Sequence, residues 1–578
     1  MSYLDLPRLC FTGNFSADPS TVNNTPQNYD PRVTAPAPGW NPTGTGQWQF
    51  IDCTVQAVYY ADGTVCTSPE QDPIIGAAFL GANSQQMAKI VDLDPEQQMV
   101  SEIWGQQVQL GLFNLANSFI GTYEVAAFTD IWFRAIGAGA SGDAPMGAAY
   151  QSVITGLRWS NTISSRFLEE LHALNPKKLS IKFNLDGINL SSGTPTFTQG
   201  RIVGAIGAAF DGEPDHFVAG RLLRSAPTPT SDPYDSPSTL LTAPGAPIFF
   251  TPCKVDEDGK KIIVDVGNSL STTTPGGPMN TALGQLALAA LPANAPPVLI
   301  GEIDYQAPDW YTTTAGIAGF ALTDDQLGLI ATTPLGIVQI AGWGPITTLI
   351  QENSIGAFVR ADQFVFRMDP GDTVEVQLYA TAFGKPAANQ LITLVQDAAS
   401  VNNMQTPPNP PSIPIGVPES ALQISPASVT TDEQGRASFK LIASDPKNPR
   451  KFIDGQVYGV RYIWDESEPQ GYNHDPTSFV SILVHNTYTY KAPPTWKRDV
   501  EPIFSQYAKL YPFMTSNVIN LGDYQQVTQP SNLEAIKRVL SLPKDDPGYM
   551  QVTRDMSRDK TQMILQWIDL QLQKQKAG

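Results

Sequence analysis

Over much of the first 350 residues apolar and polar positions alternate with a period of two, the pattern of strands that lay one face on a core. Leu4, Leu6, Leu9 and Phe11 begin it, and a stretch rich in Asn, Ser, Thr and Pro follows. Asp5, Pro7 and Arg8 break the run. It therefore lacks the roughly 7–15 uninterrupted apolar residues of an export signal and reads as an opening strand. Two apolar segments flank the Asp62-Gly63 pair within residues 48–65, which predicts a hairpin. Leu179, Ile181, Phe183 and Leu185 alternate with Ser180, Lys182 and Asn184, which predicts a half-buried strand. One helix interrupts the strands: Ile163, Phe167, Leu171 and Leu174 recur every three or four residues, and Asn175-Pro176 ends it.

The texture changes near residue 360. Val374, Val376 and Leu378 alternate, a Pro-rich stretch follows at 406–418, and a turn at Glu433–Gly435 precedes Ala437, Phe439 and Leu441 on one strand face. Short strands with turn signals every ten or so residues predict a β-sandwich. The last 85 or so residues carry helical periodicity instead. Ser531 and Glu534 have capping-box spacing ahead of the stripe Leu533, Ile536, Leu540. Ser557 then caps a helix bearing Met563, Ile564, Trp567 and Ile568 on one side. The predicted fold class is mainly β. A β-rich domain spans 1–350, with room for two subdomains, an Ig-like sandwich spans 360–490, and a helical module spans 491–578.

Composition narrows the function classes. A net charge of −19 opposes binding to nucleic acid phosphates or anionic membrane surfaces. No apolar stretch nears the ~20 residues needed to span a bilayer; Ile202–Phe210 is only strand-length. A soluble, cytoplasmic protein is the expectation. Cys53 and Cys66 flank the Asp62-Gly63 turn and would pair in an oxidising compartment. Four cysteines in 578 residues suit buried, reduced thiols better.

Signatures of chemistry are sparse. The sequence has no P-loop, no G-x-G-x-x-G in a β-α-β setting, no H-E-x-x-H, no C-x-x-C and no G-x-S-x-G. Glu169–His172 and Glu213–His216 both spell E-x-x-H, the helix-borne half of a di-iron site. Only the first copy, with Glu169 and His172 as metal candidates, lies in a helical pattern, since Pro214 interrupts the second. The loop Asp211–His216, with Arg221 and Arg224 downstream, is the densest mixture of acid, base and cation in the first domain. Asp215, His216 and Arg221 are accordingly the catalytic candidates. The loop Trp464–Asp475 offers oxygen ligands to a hard cation but lacks EF-hand spacing. No cofactor is assigned.

Three phrases, at 6–24, 88–110 and 200–224, occur in the order in which a known family carries them. Residues 1–350 or so resemble the N-terminal half of the iminophenylpyruvate dimer synthases of violacein and rebeccamycin biosynthesis. Those enzymes oxidatively couple two imines derived from tryptophan. In that family the chain continues into a ferritin-like domain of carboxylates and histidines. Here the sandwich and helical tail follow instead, so the resemblance implies kinship of the first domain and transfers no catalytic residue. The phrase at 431–441 also resembles a recurring strand of immunoglobulin-like modules in bacterial surface proteins. Three readings follow. The first is a non-catalytic scaffold whose partner is a separately made ferritin-like oxidative enzyme. The second is an oxidative enzyme of aromatic amino-acid-derived biosynthesis acting near Asp215 and His216. The third is a structural protein that assembles, as copies of itself, from Ig-like modules.

Overall fold

The alternating segments of the first 210 residues close on themselves. Twelve strands form the sheet: β1 (Arg8–Asp18), β2 (Gln47–Tyr59), β3 (Val65–Cys66), β4 (Ala78–Gly81), β5 (Ala88–Asp94), β6 (Gln97–Trp104), β7 (Gln107–Leu110), β8 (Phe119–Tyr123), β9 (Ala126–Phe133), β10 (Met146–Trp159), β11 (Lys178–Asp186) and β12 (Gln199–Ala209). β1 pairs with both β2 and β12, β12 with β11, and β11 with β10, all antiparallel. The two long strands, β2 and β10, each change neighbour along their length. β10 pairs with β9 over Met146–Tyr150 and with β8 over Ile154–Trp159. β2 pairs with β5 at Gln47–Trp48 and with β4 at Cys53–Thr54. The wall closes through β8-β7-β4 at one end and β9-β6-β5 at the other, so the small barrel has no free edge between these strands. This computed structural model describes residues 2–19, 29–33, 41, 43–81, 88–95, 97–105, 107–111, 116–136, 143–224, 248–340, 346–397, 415–450, 452–464 and 479–577.

Rings fill the barrel, among them Phe11, Phe15, Trp48, Phe50, Tyr150 and Phe183. The closure depends on Gly13, where the register of β1 on β2 shifts. A Cβ there would lie 2.6 Å from the Cys53 Cα. The helix Arg166–Ala173 packs Phe167, Leu168 and Leu171 on the same core, and the Ser165 side chain caps it by accepting from the Leu168 N–H at 3.2 Å.

The outer face of the barrel is also covered, so β11 is buried on both faces rather than half-buried. Two four-stranded sheets between Arg221 and Gln351 supply the cover, with a core that takes in Cys10, Val203 and Ala205 from the barrel's outside. On the polar side of β11 the charge is paired: Lys182 Nζ lies 2.7 Å from Asp265, which also accepts from the Tyr3 hydroxyl at 2.8 Å and the Gly267 N–H at 2.9 Å. Buried charges need such partners.

Residues 357–484 form a sandwich of two five-stranded sheets. The face residues expected to share a core meet across one strand pair, Val374 with Leu441, Val376 with Phe439 and Leu378 with Ala437. The turn before the second strand is held by Asp432, whose carboxylate accepts from the Gln434 and Arg436 N–H groups at 2.9 and 2.8 Å. Gly435 supplies the φ of +71° that the turn requires. From Trp496 onward the chain is helical, and Trp496 meets Trp567 at 5.4 Å between ring centroids in its core. Ser557 Oγ accepts from the Lys560 N–H at 3.4 Å at the head of the helix Arg558–Ala577. The capping box at Ser531 is a correction. That helix runs Pro530–Leu540 with Gln529 at its cap and no side-chain cap bond, because Pro530 takes the first helical position and moves Ser531 inside.

No described helix is long and apolar enough to cross a membrane. Residues 465–475 of the oxygen-rich loop and 406–414 of the Pro-rich stretch lie outside the described residues.

Candidate functional site

The loop from Asp211 to His216 lies between the barrel and the sandwich. Asp215 forms an ion pair with Lys178 at the start of β11. One carboxylate oxygen of Asp362, just past the sandwich strand Ala357–Ala361, gathers the rest. It accepts from the backbone N–H groups of Asp215 and His216, each at 2.9 Å, and lies 3.2 Å from His216 Nδ1. Burial pushes the Asp362 carboxyl up, but the His216 ring and the two N–H groups outweigh it and hold the acid below its usual value. The contact with Asp362 fixes the orientation of the ring and leaves Nε2 as its other polar atom. That nitrogen is buried and has no partner among the described residues.

His216 lines a cavity of about 220 Å³ at the junction of all three parts of the chain. Glu102 and Trp104 come from β6, Asp362 and Arg367 from the sandwich, and Lys544 from the helical module. Arg367 forms an ion pair with Glu102, with side chains 3% and 5% exposed. Burial pulls the Lys544 ammonium below its usual value, against the opposing charge of Asp369. The cavity thus combines an imidazole oriented by a carboxylate, a salt bridge and a partly desolvated amine. Chemically it suits proton exchange with a polar guest or the holding of a water molecule.

The other candidates are placed elsewhere. Arg221 is fully buried and reaches Glu352 through Nε at 2.8 Å, with the carbonyls of Ile330 and Thr333 also at 2.8 Å. Glu169 and His172 are exposed on the helix Arg166–Ala173, where the His172 ring meets Trp159 edge-on at 5.3 Å. Among the described residues no group of three or more His, Cys, Asp and Glu side chains is placed so as to hold a metal ion. All four cysteines are unpaired and buried; burial lifts the Cys10, Cys53 and Cys253 thiols to about 12. Asp362, Glu102, Arg367 and Lys544 carried no sequence signal, since each lies in an ordinary strand or loop far along the chain from His216.

The lowered pKa of Asp362 carries a pH dependence. Its contribution to stability is present above the ordinary value of 3.8 and is lost as pH falls through the lower folded value. Asp362→Asn is expected to be less stable at pH 7 and to show a flatter acid limb. Urea midpoints at pH 7, 5 and 3 measure both; parallel curves for the two proteins would contradict the assignment.

No family model and no curated protein matches the chain. Solved structures give distant likenesses. The D0-D1 domain of intimin aligns at 12% identity over 41% of this chain and 94% of its own, with a TM-score of 0.16. Domains 4 and 5 of the S-layer protein SbsC align at 8% identity over 40% of this chain and 88% of theirs, with a TM-score of 0.15. Likenesses this slight carry no argument about the role of the chain.

Proposed function

We propose that the chain is a non-catalytic β-rich scaffold subunit, accessory to a separately made ferritin-like oxidative enzyme of natural-product biosynthesis. The observation that carries the reading is a pair of buried arginine–carboxylate contacts between barrel and sandwich. They are Arg367 with Glu102, and Arg450 with Asp94, the latter two side chains each 1% exposed. Such pairs are tolerable only while both partners keep their geometry. Modules joined in this way keep a constant relative placement, as a platform for a second protein requires. The resemblance of residues 6–24, 88–110 and 200–224 supports the class of partner, and the four unpaired thiols support a reducing, cytoplasmic setting.

Affinity purification from the native cells with mass spectrometry of bound proteins tests the reading. The expected companion is a protein with a helical Glu-x-x-His domain. Stoichiometric iron or haem in the purified chain, with oxidation of an aromatic amino acid by it alone, would overturn the proposal. One observation favours the second reading, an oxidative enzyme: the unpartnered Nε2 of His216 beside the junction cavity. Should that turnover appear, its loss in His216→Gln would assign it to this cavity.

A further inference from the structure

A second cavity, of about 180 Å³, lies at the barrel mouth formed by the ends of β1 and β11 and the beginnings of β2 and β10. Its walls are mostly apolar: Phe15, Trp48, Ile90, Phe128, Met146 and Leu185. Trp48 is stacked on Phe15 at 5.1 Å and tilted against Phe128 at 5.7 Å, so the aromatic wall is braced by its own neighbours. An apolar cavity of about 150 Å³ is enough to admit benzene. This one has room for a single substituted ring.

The polar groups at the cavity set the charge and the hydrogen bonding of an occupant. Asp186 is matched by Arg201 and Arg134, the second at 3.1 Å, so its charge is already answered. Asp92 shares the inward face of β5 with Ile90, while Val91 and Leu93 belong to clusters on the opposite face. Ser101 donates to its carboxyl. Burial pushes the Asp92 carboxyl well above its usual value, with the charges of Asp94, Asp143 and Arg367 acting on it less strongly. Trp48 is 1% exposed, and its indole N–H has no acceptor among the described residues. Indole nitrogen is only a donor, and buried donors ordinarily find acceptors.

We propose that the barrel mouth binds a small neutral aromatic compound, which stacks among Trp48, Phe15 and Phe128 and presents a hydrogen-bond acceptor to the Trp48 N–H. A preformed, largely apolar pocket with a few placed polar groups at the mouth of a barrel is the usual form of a small-molecule site. Asp186 is paired, and burial pushes the carboxyls of Asp92 and Asp143 up, which disfavours their charged forms, so the lining does not favour an ionic guest. The proposal does not depend on the scaffold reading.

Isothermal titration of the full chain with four probes of similar size tests it. Acetophenone, which carries an acceptor, is expected to bind saturably with one site per chain. Ethylbenzene, which has none, is expected to bind roughly tenfold more weakly, the value of about one hydrogen bond. Benzylammonium and benzoate are expected to give no saturable heat. Trp48→Phe keeps the ring and removes the donor, so it should bring acetophenone to the level of ethylbenzene and leave ethylbenzene unchanged. Ala148→Leu, which fills part of the same cavity, should abolish both while the circular dichroism of the chain is retained. The proposal is overturned by the absence of saturable acetophenone binding up to its solubility. Equal affinity for acetophenone and ethylbenzene, or acetophenone binding that survives both substitutions, overturns it equally.

Discussion

Arg221→Met is expected to lower folding stability by roughly 3–5 kcal/mol, and adding Glu352→Leu to the same chain is expected to restore most of the loss. The arginine and the carboxylate have side chains 0% and 2% exposed, and neither has access to bulk water. Burial raises the Glu352 carboxyl, and Arg221 is the chief opposing influence; the Leu335 N–H adds a bond at 2.7 Å. Removing the guanidinium leaves a desolvated carboxylate with one backbone donor. It also strands the carbonyls of Ile330 and Thr333. The single variant therefore meets three penalties at once, whereas the double variant removes the desolvated charge and leaves two carbonyls and the Leu335 N–H unmatched. Urea unfolding of the four proteins of the cycle measures the difference. Equal losses from the single and the double variant would mean that the carbonyl bonds, and not the ion pair, hold this corner. The same variants bear on Arg221 as a catalytic candidate, since a residue closed in this way touches no solvent-borne substrate.

Part of the architecture was legible because its causes are local. Period-two alternation placed Val374, Val376 and Leu378 on one face, and the partners they meet, Leu441, Phe439 and Ala437, stood out for the same reason. The turn at Glu433–Gly435 and the helix ended by Asn175-Pro176 rest on backbone preferences that single residues carry. Closure of the barrel was not legible. It depends on which strands pair, and β2 and β10 each take two successive neighbours, which alternation cannot encode. Lys182 and Asn184 misled for a related reason, because a polar face reads as solvent-facing until a second layer brings Asp265 to it.

The candidate site divides in the same way. His216 and Asp215 stood out through local density of charge, but their organising carboxylate is 146 residues away. The ion pair of Glu102 and Arg367 spans 265 residues. A site assembled from three modules leaves no spacing in the sequence, because each contributor is an isolated residue whose partners come from other modules. The barrel-mouth cavity was illegible for the opposite reason. Trp48, Phe15 and Phe128 look like ordinary core residues, and only the unmatched N–H and the volume beside it distinguish them.

Trp104 is the point where the three parts of the chain converge, and Trp104→Ala is the substitution expected to separate them. Its ring, at the end of β6, lies 5.3 Å from the Arg367 guanidinium of the sandwich and 5.0 Å from that of Arg554 in the helical module. Arg554 is fully buried, and burial pulls its guanidinium down to about 10, so the aromatic face is a material part of what keeps the charge there. Its hydrogen bonds to the carbonyls of Lys544 and Asp546, at 3.0 and 3.1 Å, survive the substitution. Arg367 likewise keeps Glu102. The loss is then two cation–π contacts, the indole N–H bond to Glu102 at 3.3 Å and the ring's buried area, about 2–3 kcal/mol in all, less than for Arg221 because both guanidiniums keep their hydrogen-bond acceptors. Its location distinguishes it. Gly105, next to Trp104, sits so close to Pro547 that a Cβ would approach within 2.7 Å, so the helical module meets the barrel at this turn. Hydrogen exchange should show protection falling in the helices Glu501–Leu510 and Arg558–Ala577 while β1, β11 and β12 keep theirs. A uniform loss along the chain would mean that Trp104 supports the barrel itself, and an unchanged profile would remove it as the joint between the modules.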